Sequence, residues 1–449
     1  MYLQRKCSKR IIDWFNEENK ALLITGARQV GKTHLIRHVV KEELTYHLFE
    51  INLIETPEAV SIISQSETVE DLRIGLSVFS DEKLIPGNTV IFIDEVQKCK
   101  EIITKIKFLA EDNTFKYILS GSLLGVELNN IESAPVGYLE IIRMYHMDFE
   151  EFLQISNISE DVINSLKSSF INRKPVMDAI NHKMLELFRR YLLVGGMPEA
   201  VARFAESYNL NDVISIHNDI VNLYKLDFTK YETDDKKLLI SNIYDLIPAE
   251  LLKQNKRFII TDLKKGLRFE RIENSFLWLQ NAGVSLTAYN ATEPRVPLLL
   301  NEKQSLFKLY LSDVGMLTSI YGMNTKSMIL RKDSNINCGG IYENAVIQEL
   351  VSKGFKVYYY NSNRLGELDF VIEYGGHTLP IEVKSGKDYT VHSAMNNCLK
   401  NKEYEMKEGI VFANCNVSVN GKVTYLPVYM SMFLTNDNDE DIILDKISF

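Results

Sequence analysis

The sequence predicts an α/β fold: a parallel sheet wound with crossover helices, then a mostly helical, winged-helix-like middle, then a smaller C-terminal α/β unit. Three observations carry this. Short apolar runs alternate with helical stretches from residue 21 to about 152. A helical spacing of apolar residues then takes over between 151 and 246. After Gly339-Gly340, a helix is followed by three strands, the last two joined by Gly375-Gly376 as a tight hairpin.

In order, the N-terminal strands are expected at 21–25, 46–53, 89–93, 116–120 and 136–147. Phe188, Tyr191, Leu192 and Val194 share a helix face before the Gly195-Gly196 break. Between 241 and 319, two or three helices precede a small hairpin, with 294–300 and 306–311 as its two sides. The C-terminal helix is expected at 341–353 and its strands at 356–360, 367–374 and 378–383. The resulting division is 1–153, 154–240, 241–330 and 331–449. The acidic run 436–441 reads as a solvated loop.

Composition narrows the function classes. At 449 residues, 45% hydrophobic and 25% charged, the chain can bury a sizeable core and is neither disordered nor fibrous. A net charge of −9, from 60 acidic and 51 basic residues, argues against a chain coated everywhere with nucleic acid, so any such contact needs a local patch. The five cysteines are far apart with no C-x-x-C pair, which argues against a disulfide framework or a zinc site and for a reducing cytoplasm. No apolar run is long enough to span a bilayer, so no membrane is expected as a partner.

The first site is Gly26-Ala27-Arg28-Gln29-Val30-Gly31-Lys32-Thr33, which matches G-x-x-x-x-G-K-[ST] between an apolar strand and a helical run starting at His34. Gly26 and Gly31 permit a tight turn that aims backbone N–H groups at a β-phosphate, at the positive end of the helix. Lys32 adds a charge for the β- and γ-phosphates, and Thr33 offers a hydroxyl to Mg²⁺. Residues Gly26 through His34 are therefore the expected ATP contacts. A second apolar strand ends in Asp94-Glu95, with Asp94 expected to hold Mg²⁺ and Glu95 to polarise the attacking water. A third ends in Ser120-Gly121-Ser122, with Ser120 the candidate sensor of the γ-phosphate, although an ordinary turn residue fits there equally. Arg143 is one candidate for a trans-acting finger, and His34, His38 and His47 otherwise read as structural.

GARQVGKT, VIFIDEVQ, ILSGS, MDFEEFL (147–153), YLLVGGMPEAV (191–201) and FKLYLSDVGML (307–317) together resemble the bacterial and archaeal AAA-type ATPases of the AAA_14 group with a DUF4143 C-terminal region. The resemblance spans nearly the whole chain and implies an AAA-type P-loop NTPase core that hydrolyses ATP with Mg²⁺, in a family where rings are common. Many relatives carry a Gly-Arg pair shortly after the sensor strand. Here the comparable stretch is Val136-Gly137-Tyr138, so the resemblance assigns no arginine finger.

The second chemistry is the order Glu343, Asp369, Glu382-Val383-Lys384. Residues two apart on a strand face one side, so Glu382 and Lys384 point together, with Asp369 across the hairpin. Three carboxylates and a lysine so placed suit one or two Mg²⁺ ions, with Asp369 and Glu382 as ligands, and a water to be activated. The pattern resembles the PD-(D/E)xK nuclease superfamily over about 339–430. A salt-bridged ribbon in a nuclease-like fold that no longer cuts is the alternative. Lys253, Lys256, Arg257, Lys264, Lys265, Arg268 and Arg271 outnumber Asp262 and Glu270 nearby, which suits DNA phosphates or, equally, a solvated helix face. The leading function is an ATPase coupled to DNA that drives or gates a nuclease. The second is a signalling or remodelling ATPase whose C-terminal fold binds a protein partner or a further copy of the chain.

Overall fold

The computed structural model describes residues 2–17, 20–122, 137–228, 234–333 and 336–436. Val136 and most of the acidic run, residues 437–441, lie outside them.

The N-terminal strands β1 (Ala21–Thr25), β2 (His47–Asn52), β3 (Thr89–Asp94), β4 (Lys116–Gly121) and β5 (Leu139–Arg143) form one sheet in the order β2-β3-β4-β1-β5, every pairing parallel. The central strands β1, β3 and β4 are nearly continuous apolar runs because both faces are covered, whereas the edge strands β2 and β5 are only partly buried. Leu23, Ile91, Ile93 and Leu119 pack against Ile102, Ile103, Ile106 and Leu109 of the Glu101–Asp112 helix. Leu22, Ile24, Val90, Phe92 and Ile118 point the other way, into a core containing Trp14, Leu35, Ile36 and Val39. Since β4 lies between β1 and β3, the carboxyl ends of three strands stand side by side, and the chemistry gathers there.

The middle is helical, with helices Glu160–Asn172, Asp178–Val194, Pro198–Ser207, Leu210–Phe228 and Asp234–Leu252. A second, mixed sheet follows: β6 (Ser285–Ala291), β7 (Glu302–Leu311), β8 (Tyr358–Ser362), β9 (Gly366–Tyr374), β10 (His377–Lys384), β11 (Gly409–Ala413), β12 (Ser418–Asn420) and β13 (Val423–Pro427), in the order β12-β13-β11-β10-β9-β8-β6-β7. The whole is α/β.

Two details differ from the sequence expectation. The hairpin is β6–β7, and 294–300 belongs to its connection rather than to a strand. This hairpin also does not stand apart: β6 pairs in parallel with β8, Tyr289 opposite Tyr358, so a division at residue 330 runs through one sheet. The physical reason lies in β6, whose seven residues are all buried. A strand covered on both faces needs a hydrogen-bonding neighbour on each edge, and a two-stranded wing leaves one edge open.

Two motifs far apart in the chain meet in the core. Asp313, fully buried, caps the Val314–Ile320 helix by accepting from Met316 N at 2.9 Å. Its other oxygen accepts from Gly196 N at 2.5 Å. The Gly339–Ser352 helix ties the C-terminal sheet to the same region, as Glu349 accepts from Phe149 N (2.6 Å) and Gln348 donates to the Tyr191 hydroxyl (2.9 Å).

Candidate functional site

The phosphate loop joins β1 to the Lys32–His38 helix, which starts immediately after Gly31. Gly26 has φ 149°, and a Cβ there would lie 2.3 Å from the Met144 carbonyl oxygen, so only glycine fits the turn. The loop is held from behind by side chains from two distant segments, the N-terminus and the Leu210–Phe228 helix. Arg5 donates to Val30 O (2.8 Å) and Tyr145 O (2.6 Å), Tyr224 donates to Arg28 O (3.2 Å), and Arg28 forms an ion pair with buried Asp227 at 2.7 Å. A loop so braced presents its N–H groups in a fixed arrangement before any ligand arrives.

In front of it is a cavity of about 470 Å³, lined by Arg28 through Leu35, Asp94, Glu95 and Ser122, and closed on one side by Tyr2 and Leu3 and on another by Pro198, Glu199 and Ala202. Tyr2 stacks on His38, with ring centroids 3.5 Å apart, and lies near His34. The Gly195-Gly196-Met197-Pro198-Glu199 stretch therefore delivers a wall of the cavity as well as a helix start. Gly26 and Ala27 face a small hollow behind the loop instead, beside His146 and Gln348.

Lys32 has no anion near enough for an ion pair among the described residues. Its ammonium lies across the loop's own carbonyls, donating to Gly26 O (3.0 Å) and Ala27 O (2.9 Å). Burial pushes it down to about 8, with Glu95 and Asp94 only partly opposing the shift. A buried cation short of negative charge is what a bound polyphosphate would satisfy, so the residues present fit ATP. A prediction follows from the sign of this shift. Below pH 8 the free protein already carries the Lys32 proton that phosphate binding needs, and above it a proton must be taken up. Nucleotide affinity should be flat below pH 8 and weaken by up to about tenfold per unit above it, in a fluorescent-nucleotide titration at saturating Mg²⁺. Lys32→Met should remove that slope.

Asp94 ends β3, and its two oxygens are shared out. Oδ2 accepts from Thr33 Oγ1 at 2.8 Å, while Oδ1 accepts from the Glu95 N–H at 2.9 Å and from the Ser120 hydroxyl. Thr33 and Asp94 thus already touch, in the arrangement two Mg²⁺-holding groups need. Ser120 is fully buried with its hydroxyl turned to Asp94, so it orients that carboxylate and does not line the cavity. Ser122 does line it, and its buried hydroxyl has no hydrogen-bond partner among the described residues. Glu95 has φ 58°, a left-handed conformation rare outside glycine, and Gln97 donates to its carboxylate. Arg143 donates to Gln280 O at 3.0 Å within its own chain.

The second set converges where β9, β10 and the Gly339–Ser352 helix meet. Glu382 and Lys384 point together as expected, at 2.7 Å, and Asp369 accepts from Val383 N at 2.9 Å across the hairpin. Glu343 is buried on the helix. Burial, and then Asp369, push Glu382 up to about 8, and the same two causes raise Glu343. These carboxylates repel one another in a dry site, and added positive charge would relieve them. Asp369 and Glu382 therefore fit a divalent cation. Among the described residues, however, no three His, Cys, Asp or Glu side chains are assembled into a ready-made metal cage. Lysines stand among them: Lys384 on Glu382, Lys256 on Glu343 at 2.8 Å, and buried Lys308 on Glu367 at 2.6 Å.

The basic stretch is only partly available for phosphate. Lys253 is paired with Glu250 and Asp262, and Lys256 with Glu343, while Lys264, Lys265, Arg268 and Arg271 are exposed. No helix among the described residues is long and apolar enough to cross a membrane.

Three family models match successive parts of the chain. Residues 18–153 match the AAA domain family model, residues 185–327 the domain of unknown function DUF8612, and residues 338–430 the domain of unknown function DUF4143. Similar solved structures include the Walker-type ATPase PABY2304 of Pyrococcus abyssi, at 15% identity and a TM-score of 0.42, covering 71% of this chain and 96% of that one. The RuvB Holliday junction branch migration motor of Thermotoga maritima is 14% identical with a TM-score of 0.28, covering 66% and 91%. Cdc6p of Pyrobaculum aerophilum is 11% identical with a TM-score of 0.27, covering 74% and 96%. No curated protein matches the chain. Over residues 18–153, then, the chain is similar to AAA-type P-loop ATPases, and over residues 338–430 to DUF4143 regions.

Proposed function

We propose that this protein binds and hydrolyses ATP with Mg²⁺ at the braced loop, and that hydrolysis is coupled to DNA handled by the C-terminal half. The observation that carries the reading is the Thr33–Asp94 contact at 2.8 Å beside a buried Lys32 that has no counter-anion among the described residues. Mg²⁺, when bound, would neutralise charge on the β- and γ-phosphates. Thr33 and Asp94 would hold it, Lys32 would hold the phosphates, and Glu95 would orient and deprotonate the attacking water. Ser120 keeps Asp94 in place, and Ser122 is the cavity-lining hydroxyl placed to meet the terminal phosphate.

Asp369, Glu382, Glu343 and Lys384 form the candidate Mg²⁺-dependent nuclease centre, with exposed Lys264, Lys265, Arg268 and Arg271 as the phosphate contacts for DNA. The raised Glu382 supports a cation there. A specific observation also favours the second reading, an inactive binding module for a protein partner or a further copy: Glu343 and Glu382 each already have a lysine. A reducing cytoplasm suits the five free cysteines.

Phosphate release by the wild type with Mg²⁺, lost in Lys32→Ala, tests the ATPase. Plasmid and branched DNA with Mg²⁺ or Mn²⁺ test the nuclease, with cleavage expected from the wild type and none from Asp369→Ala or Lys384→Ala. Phosphate release with neither cleavage nor salt-sensitive DNA binding would leave the ATPase standing and select the binding module.

A further inference from the structure

Lys256 lies outside the segment that carries the C-terminal carboxylates, in the turn that follows the Asp234–Leu252 helix. It nevertheless reaches their centre. Its ammonium is 2.8 Å from Glu343 Oε1, and the other Glu343 oxygen accepts from the Tyr310 hydroxyl at 3.0 Å. The approach is built into the backbone. A Cβ on Gly340 would lie 2.3 Å from the Leu251 carbonyl oxygen, so glycine is what lets the end of the Asp234–Leu252 helix, just ahead of the Lys256 turn, sit on the first turn of the Gly339–Ser352 helix. A cation at a helix N-terminus opposes the helix dipole. The carboxylates, not the helix, therefore account for its position.

We propose that Lys256 is a positioning residue that serves as a built-in counter-cation of the C-terminal cluster, competing with a divalent cation for Glu343. Cation loading then requires the 253–258 turn to release Glu343. Lys384 differs, because it sits on the same strand as its partner Glu382, and no segment needs to move for both to act together. The proposal rests on the cluster being a cation site and deepens that reading by naming what closes it.

The test is Mn²⁺ binding to the nucleotide-free full chain, followed by calorimetry and by the shift in unfolding temperature. Lys256→Met should bind Mn²⁺ about tenfold tighter than wild type if the lysine occupies Glu343 about nine-tenths of the time. Its melting temperature should fall without Mn²⁺ and recover with it, because a buried carboxylate has lost its partner. Adding Glu343→Gln should abolish both the tightening and the recovery, and Lys256→Arg should behave as wild type. If Lys256→Met does not fold, Lys256→Gln gives the same comparison with a neutral hydrogen-bond donor. Equal or weaker Mn²⁺ binding in the folded variant, or none in any protein, overturns the proposal. DNA cleavage is not a readout, so absence of nuclease activity and absence of this competition are separate results.

Discussion

Glu95→Gln should lower phosphate release by about 10²- to 10⁴-fold, the usual loss when a general base is removed, while nucleotide affinity stays within about twofold of wild type. The geometry separates the two effects. Glu95 lies one residue past the carboxylate that contacts Thr33, and its backbone N–H supports Asp94 at 2.9 Å. Glutamine keeps that N–H, the side-chain shape and a carbonyl oxygen for Gln97, but cannot take a proton. The left-handed backbone at Glu95 costs about 1 kcal/mol or more, which the surrounding fold must support, and strain of this kind gathers at working sites. Lys32→Ala should show the opposite pattern, with binding itself lost. Phosphate release measured beside fluorescent-nucleotide titration distinguishes them, and equal turnover in wild type and Glu95→Gln would contradict hydrolysis at this site.

Asp313→Ala should destabilise the protein by about 3 kcal/mol, roughly a hundredfold in the folding equilibrium. One carboxylate serves two backbone donors, Met316 N at a helix start and Gly196 N across the core, and the site is fully buried. Alanine leaves both donors without a partner and without water. Burial raises the Asp313 carboxyl above its ordinary value, while the Gly196 and Met316 N–H groups favour the charged form. Burial also pushes nearby Lys326 down to about 7, and Asp313 is the charge that opposes this. Asp313→Asn, which keeps an acceptor but loses the charge, should cost less than alanine. Urea unfolding measures both, and a loss below about 1 kcal/mol for Asp313→Ala would mean that water replaces the carboxylate.

The sequence was most informative where the chemistry is local. Gly26 through Thr33 needs a tight turn, a helix start and a lysine within eight positions, and all follow from chain order. Asp94 and Glu95 were legible as the end of an apolar strand. Ser120 was legible as a strand end but not by role, because its hydroxyl direction depends on β4 lying between β1 and β3. The braces on the loop, Arg5, Tyr224 and Asp227, carry no local motif. They come from segments that only the fold brings to the nucleotide site.

The C-terminal set divides the same way. Alternation along β10 and the Gly375-Gly376 turn were enough to put Glu382, Lys384 and Asp369 side by side. Sequence by itself thus determined which residues gather at the two candidate sites, the parallel N-terminal sheet and the order of the parts, since periodicity and turn geometry act over a few residues. Tertiary structure alone decided that β6 joins β8, that Asp313 reaches Gly196 117 positions away, and that Lys256 rests on Glu343. Those contacts satisfy buried strand edges, buried N–H groups and buried carboxylates, and which distant residue satisfies each depends on packing of the whole chain.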